Sequence, residues 1–305
     1  MQNVFKLAAV AALCATAVAA HADVAFDANL ELDTTYSNDA NATATNKLRD
    51  SDLSMAGRVE VNAGAKATNG DAFVAGRASL LLKKDGTTGT DDMWVQFGNK
   101  TGDVKLGRFE AMDLFPLGKD TVVDEANSTY KANALRGRMG GDTFHGALGL
   151  NAGAGLRAEL GLVYSKDAGN VKGVRPAVSY NAGPLTVRAG LESVKTVGST
   201  TGSDTGFGVS VGYALGADSS FNVNFAKKED DKAFGVNGTF GALGVGLISG
   251  KGATDATKST TVYAAYTMSL LGVKGASITP ALSFSKGGSG QDNQTSARVR
   301  INYAF

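Results

Sequence analysis

Residues 297–305, the end of the chain, read ARVRINYAF. Val299, Ile301, Tyr303 and Phe305 alternate with Arg298, Arg300, Asn302 and Ala304. At period two this is a strand with one apolar and one polar face. The stretch VAFDANLELDTTY (24–36) does the same with opposite charge: Val24, Phe26, Ala28, Leu30 and Leu32 share one face, and Asp27, Asn29, Glu31 and Asp33 the other. A helix would repeat every 3.6 residues, and neither stretch does. Setting Phe305 opposite Phe26 places Arg298 across from Asp33 and Arg300 across from Glu31. Opposite charges on neighbouring strands contribute about 0.2–1 kcal/mol per pair, enough to help fix a register. If the first and last strands are neighbours, the sheet between them is closed.

The alternation recurs between those ends. Leu53, Met55, Val59 and Val61 oppose Arg58, Glu60, Asn62 and Lys66; Leu185, Val187, Ala189 and Leu191 oppose Thr186, Arg188 and Glu192. Tight Gly/Asn/Asp turns fall near 67–71, 99–102, 140–143, 181–184, 214–219, 241–242 and 269–275. Longer polar connections fall near 37–51, 84–91, 110–130, 166–173, 196–205, 227–232, 251–258 and 286–294. They delimit sixteen strands, with both termini on the short-turn side. The stretch 144–165 is too long for one strand; NAGAG (151–155) is read as a bulge, with an extra hairpin as the alternative that would change the count. Turns short at one rim and long at the other, with an even strand number, are how outer-membrane barrels are built. The fold expected is all-β: a 16-stranded antiparallel transmembrane β-barrel over 23–305.

Composition agrees. Forty Gly against four Pro suits many turns and close strand packing rather than a disordered linker. Residues 1–22 read as a signal peptide, with an apolar run from Leu7 to Ala20 and a small-x-small site at Ala20-His21-Ala22. That segment holds the sole cysteine, Cys14, and Leu13 before it argues against a lipid anchor. The rest carries 29 basic and 29 acidic side chains, a balance that favours neither nucleic acid nor an acidic surface as partner. His145 is the one histidine after residue 22, and no serine stands out beside it as an activated nucleophile. No catalysis, metal or cofactor is expected. GGSGQDNQT (287–295) matches one copy of a calcium-binding repeat, an architecture that needs tandem copies, and is read as a polar loop.

The terminal VRINYAF, GDVKLGRFEAMDLFPLGKD (102–120) and ALRGRMGGDTFHGALG (134–149) together resemble the Gram-negative trimeric porins over most of the chain. RFEAMDLFPLGKD is similar in wording to the sugar-taking raffinose-type glycoporins. The resemblance implies a third loop, about 110–130, folded into the pore. It also implies acids on that loop facing bases on the wall: Asp113, Asp120, Asp124 and Glu125 against Arg58, Arg77, Arg136 and Arg138. Such a pair of poles sets up a transverse field that favours dipolar solutes. Lys105, Arg108 and Trp94 are weaker pore-lining candidates. Alternation points Arg108 outward unless Gly107 marks a bulge, and Trp94 fits an interfacial aromatic position better than a lumenal one. Tyr164, Tyr180, Tyr213, Phe284, Tyr303 and Phe305 are expected in aromatic belts. Asp33, Glu31, Arg298, Arg300 and Phe305 are assigned to barrel closure.

The function implied is passive diffusion of small hydrophilic solutes through an outer-membrane homotrimer in contact with lipid, its terminal Phe305 read by the assembly machinery. A sugar-preferring glycoporin is the alternative within the class. A structural or adhesive barrel without a conducting pore is the alternative outside it.

Overall fold

A computed structural model describes residues 23–40, 50–119, 129–254, 257–288 and 293–305. The strands are β1 (Asp23–Ala40), β2 (Asp50–Asn69), β3 (Ala72–Lys83), β4 (Thr88–Gly98), β5 (Gly102–Arg108), β6 (Phe144–Gly153), β7 (Leu156–Tyr164) and β8 (Val171–Ala182). They continue as β9 (Leu185–Thr196), β10 (Asp204–Gly216), β11 (Ser219–Lys228), β12 (Asp231–Phe240), β13 (Leu243–Lys251), β14 (Ser259–Tyr266), β15 (Ala276–Gly287) and β16 (Asn293–Ala304). β14 resumes after Thr267 in the short Met268–Ser269 stretch, which pairs with the same neighbour, β15. Every strand runs antiparallel to the strands before and after it, and β1 pairs with β16, so the sheet is a closed barrel. Closure leaves no edge to aggregate and pairs the backbone internally, as a membrane requires.

The two faces follow the alternation. Phe221, Val223 and Phe225 on β11, Phe234 and Val236 on β12 and Leu282 and Phe284 on β15 are exposed on the outside. Between them Asn224, Asn237 and Ser283 are buried on the opposite, inner face. Tyr164 and Phe284 stand outward near the long-connection rim, and Tyr180, Tyr213, Tyr303 and Phe305 near the short-turn rim, all exposed.

Two expectations about the strands are overturned, and they compensate in number. No strand covers 131–139: none of the residues described between β5 and Phe144 (109–119 and 129–143) belongs to a strand, so GGDT (140–143) is the end of the third connection rather than a hairpin turn. NAGAG is the hairpin turn, since Gly153 and Gly155 take φ of 79° and 80° and let β6 reverse into β7. One strand is lost and one gained, and the total stays sixteen. The direction of β6 is thereby reversed, and His145 sits at the long-connection rim instead of the short-turn rim.

The closing seam differs from expectation by one residue pair. Asp33 faces Arg300, Thr35 faces Arg298 and Glu31 faces Asn302; Phe305 bonds Ala28 through both backbone groups, at 2.8 and 3.0 Å, rather than standing across from Phe26. A shift of two keeps every side chain on its own face, so alternation alone could not distinguish the registers. Arg300 decides it. From this position it forms a two-pronged bond to Asp33 at 2.7 and 2.8 Å while staying 3.6 Å from Glu31. Arg300→Asp is expected to lower the temperature at which the barrel loses its compact, heat-modifiable mobility on SDS gels. The Asp33→Arg/Arg300→Asp exchange should recover most of that loss, and an exchange no better than the single change would remove this pair from the seam.

Candidate functional site

The seam opens a longer chain of charges along the inner face. Arg298 lies 3.8 Å from Asp33, and Glu31 joins Arg300 to Arg58 of β2 at 3.6 and 3.2 Å. Arg58 reaches Glu60 at 3.6 Å, Glu60 reaches Arg77 of β3 at 4.0 Å, and Arg77 reaches Asp92 of β4 at 3.7 Å. The chain then leaves the wall for the third connection. Arg138 contacts Asp92 at 3.2 Å, Asp91 at 3.1 Å and Glu110 at 3.2 Å; Arg136 contacts Glu110 at 2.8 Å and Asp113 at 3.8 Å. Signs alternate throughout.

The four bases expected on the wall fall in two different places. Arg58 and Arg77 are on the wall, but each stands between wall acids. Arg136 and Arg138 are not on a facing strand at all; they lie in the same connection as Glu110 and Asp113. The physical reason is proximity: partners on adjacent strands stand about 4.5–5.5 Å apart at Cβ, so a row of inward bases recruits carboxylates next door. Asp113 additionally caps its own turn, accepting from the Phe115 amide at 2.9 Å and the Asn133 side chain at 3.0 Å. Asp120, Asp124 and Glu125 lie outside the described residues.

The root of the third connection is a narrow neck. Ala111 donates to the Arg136 carbonyl and Arg138 to the Phe109 carbonyl, both at 2.7 Å. Phe109 is buried and stacks on His145 with ring centroids 4.0 Å apart. Gly107 takes φ 119°, but β5 stays in unbroken register with β4 and Arg108 stands opposite the outward Met93; its side chain bonds the carbonyls of Thr90, Asp91 and Arg138. A side chain expected outward thus becomes a fastener at the neck. Arg138 is held above the usual arginine range: burial pulls it down, but the Asp92 hydrogen bond and the charges of Glu110 and Asp91 outweigh that.

Trp94 also departs from its interfacial reading. Its neighbours Met93 and Val95 are exposed outward, whereas Trp94 packs against Phe109, Ala111 and Ala147 on the inner face. The Lys105 ammonium sits 4.0 Å from the Trp94 ring centroid and 4.8 Å from that of Phe109. An aromatic face carrying a cation is a favourable contact, and it covers the ring.

Beyond the neck, the segment is bonded to the inner faces of distant strands. Arg175 of β8 donates to the carbonyls of Met112 at 2.7 Å and Ala132 at 3.2 Å. Arg175 is itself fully buried against Glu192 of β9, 3.7 Å away. Glu192 accepts from the Tyr130 hydroxyl at 2.6 Å and the amides of Ala134 and Leu135 at 3.2 Å. Burial, with the Glu192 hydrogen bond and charge behind it, pushes the Tyr130 phenol well above the ordinary tyrosine range. Further along, the Pro116 carbonyl accepts from Asn224 at 2.7 Å and Asn237 at 2.8 Å, and the Leu117 carbonyl from Tyr263 at 2.8 Å. Lys119 donates to the Ala242 carbonyl at 2.5 Å, and burial pulls its ammonium below the usual lysine range.

Apolar packing accompanies these bonds. Leu114 and Phe115 are buried with Ala177, Ala226, Ala233 and Ile248. The wall is small where they touch it: a Cβ on Gly190 would come within 2.7 Å of Leu114, and one on Gly235 within 2.8 Å of Phe115. Glycine at these two positions is required by close approach rather than by backbone angle. Period-two reading places Arg175 and Glu192 on the inner face but says nothing of their mutual contact.

A closed membrane barrel, apolar outside and charged or hydroxylic inside, with one connection tethered to strands remote from its origin, is a channel-type architecture. The family model for Gram-negative porins matches residues 9–305, and the chain belongs to that family. Solved structures with the same fold include a double mutant of a Rh. blastica porin, at TM-score 0.65 and 11% identity over 93% of this chain and 100% of that one. Another is a loop L8 deletion mutant of OmpT, an outer membrane protein of Vibrio cholerae, at TM-score 0.63 and 16% identity over 93% of this chain and 99% of that one. No curated protein matches the sequence.

Proposed function

We propose that this protein forms a water-filled outer-membrane pore for passive diffusion of small hydrophilic solutes, with residues 109–119 and 129–143 of the third connection lying in the lumen as its constriction. The observation that carries this reading is the tethering of that segment to inward side chains of both β8–β9 and β11–β14. A connection bonded to Arg175 at one stretch and to Asn224, Asn237 and Tyr263 at another spans interior space between those walls. The charge chain from Arg298 to Asp113 then lines one side of the aqueous path. Solutes are sieved by the gap and sorted by contact with alternating charges. The role of Asp120, Asp124 and Glu125 in that constriction belongs to the same proposal, as do a homotrimeric assembly, removal of residues 1–22 and recognition of exposed Phe305 by the assembly machinery.

Purified, refolded protein in a planar bilayer is expected to give discrete conductance steps; a folded barrel that never conducts would sink the pore reading and leave the structural barrel. Because acids and bases alternate nearly one for one, the reversal potential under a potassium chloride gradient should stay close to zero. A strongly cation- or anion-selective channel would contradict the balanced chain. Sugar preference is the finer alternative. Trp94 lies under Lys105, so it offers no open stacking platform, and current block by raffinose or maltose oligomers is the measurement that would revive it.

A further inference from the structure

One inward arginine is left out of the ion pairing. Every other described arginine has a carboxylate within 4.0 Å, except Arg108, which bonds the three carbonyls at the neck. Arg188 of β9 has neither, and it makes no hydrogen bond or ion pair with any described residue. It shares the inward parity of Glu192 on the same strand. Its cross-strand partners are Ser179 of β8 and Ser210 of β10, both buried on the inner face, while Val178, Tyr180, Val209 and Val211 beside them are exposed outward. Residues so paired stand about 4.5–5.5 Å apart at Cβ, so the guanidinium rises from between two hydroxyls. The Ser210 hydroxyl is itself without a hydrogen-bond partner among the described residues.

No described carboxylate is left over to serve this arginine. The inward acids nearby are engaged elsewhere: Glu192 with Arg175 and Tyr130, Glu159 with the Met112 amide at 2.9 Å, and Asp103 with Arg157 at 2.8 Å. Toward the short-turn rim, Thr186 and Asn181 bond each other at 2.9 Å and add no charge. Toward the long-connection rim, the next inward pair is Gly190 and Gly208, and Leu114 of the third connection lies over both. Arg188 therefore stands one pleat repeat, about 6.8 Å, on the short-turn side of the lodged segment.

We propose that Arg188, with the hydroxyls of Ser179 and Ser210, is a docking point for a small oxyanion, a carboxylate or a phosphate, just past the constriction on the short-turn side. The assignment rests on the pore reading, since the ligand arrives through the lumen. A guanidinium offers parallel N–H donors that two oxygens of one anion can take together, and an oxygen held there is in reach of a flanking hydroxyl. Ser210 is closed to bulk water, so the oxygen that satisfies it is one brought in by its neighbour Arg188. Chloride has a single centre and cannot use the fork, so the near-zero reversal potential expected in potassium chloride stands.

The test is single-channel current in potassium chloride at fixed ionic strength, with potassium succinate, potassium phosphate or uncharged succinamide added to both sides. Wild type should show concentration-dependent block by an oxyanion and none by succinamide. Block by succinate, by phosphate or by both names the oxyanion the site takes. R188Q should raise the half-blocking concentration about tenfold or more. R188K should fall between the two, because it keeps the charge and loses the fork. S210A should weaken block with no change in charge. Equal block by succinamide, no block by either oxyanion, or R188Q within about twofold of wild type would each overturn the assignment. An open wild-type channel that neither oxyanion blocks leaves the pore reading intact, whereas a folded barrel that never conducts sinks both. Heat-modifiable mobility on SDS gels reports the folding of each variant. If R188Q does not fold, R188K and the succinate-against-succinamide comparison on wild type still decide.

Discussion

Replacing Glu192 with alanine is expected to release the third connection from the wall and to destabilise the barrel by about 3–5 kcal/mol. Arg175 and Glu192 are both fully buried. Removing one partner of such a pair leaves a charge with neither water nor counter-ion, and this dominates the cost. Glu192→Ala also takes away the carboxylate that accepts from the Tyr130 hydroxyl and from the amides of Ala134 and Leu135. Urea unfolding in vesicles should show the lower stability, and single-channel recording should show larger, noisier steps as the segment moves. The Arg175→Met/Glu192→Leu double variant should recover much of the stability, since an apolar pair of similar volume often serves as well as a buried ion pair. An E192A barrel of unchanged stability and quiet, wild-type conductance would mean the segment is held by something else.

The second large effect is expected at Arg138. Its guanidinium stands between Asp91, Asp92 and Glu110, within 3.2 Å of each. Arg138→Gln leaves three carboxylates together, while the carbonyl of residue 138 still receives Arg108, so the neck should persist. One charge acts on an ion 4 Å away with about 1 kcal/mol in water, which converts to a roughly fivefold change in local ion ratio. The channel should turn from nearly unselective to cation-preferring, read as a shift of reversal potential under a salt gradient. The shift should shrink at high ionic strength. Unchanged selectivity would place Arg138 away from the ion path.

How far the sequence reached depends on whether a signal was local. Alternation is local, so the inner and outer faces of β1, β11 and β16 were legible from residue parity, and barrel closure followed from the complementary charge of the two ends. Register is not, because a two-residue slip preserves parity, and only the reach of Arg300 to Asp33 separates the candidates. The 131–139 stretch misleads for a related reason: Arg136 and Arg138 have strand-like spacing, but Gly137, at φ 139°, and Arg138, at φ 52°, turn the chain there. The inner position of Trp94 follows from the outward parity of Met93 and Val95, against the general preference of tryptophan for membrane interfaces. Arg175–Glu192 was visible only as two inward charges on adjacent strands. That the third connection would settle on them, with Leu114 against Gly190, depends on packing over distances that periodicity does not encode.

The tethered connection also has a mechanical consequence. A hoop of sixteen strands resists stretching along its hydrogen bonds but ovalises easily under unequal side load. A chord fixed at Arg175 and Glu192 at one end and at Asn224, Asn237 and Tyr263 at the other opposes that deformation, as a tie rod does in a cylinder. In the proposed pore these bonds would hold the cross-section constant when lateral pressure in the surrounding bilayer changes, making the width of the passage a property of the protein rather than of the membrane around it.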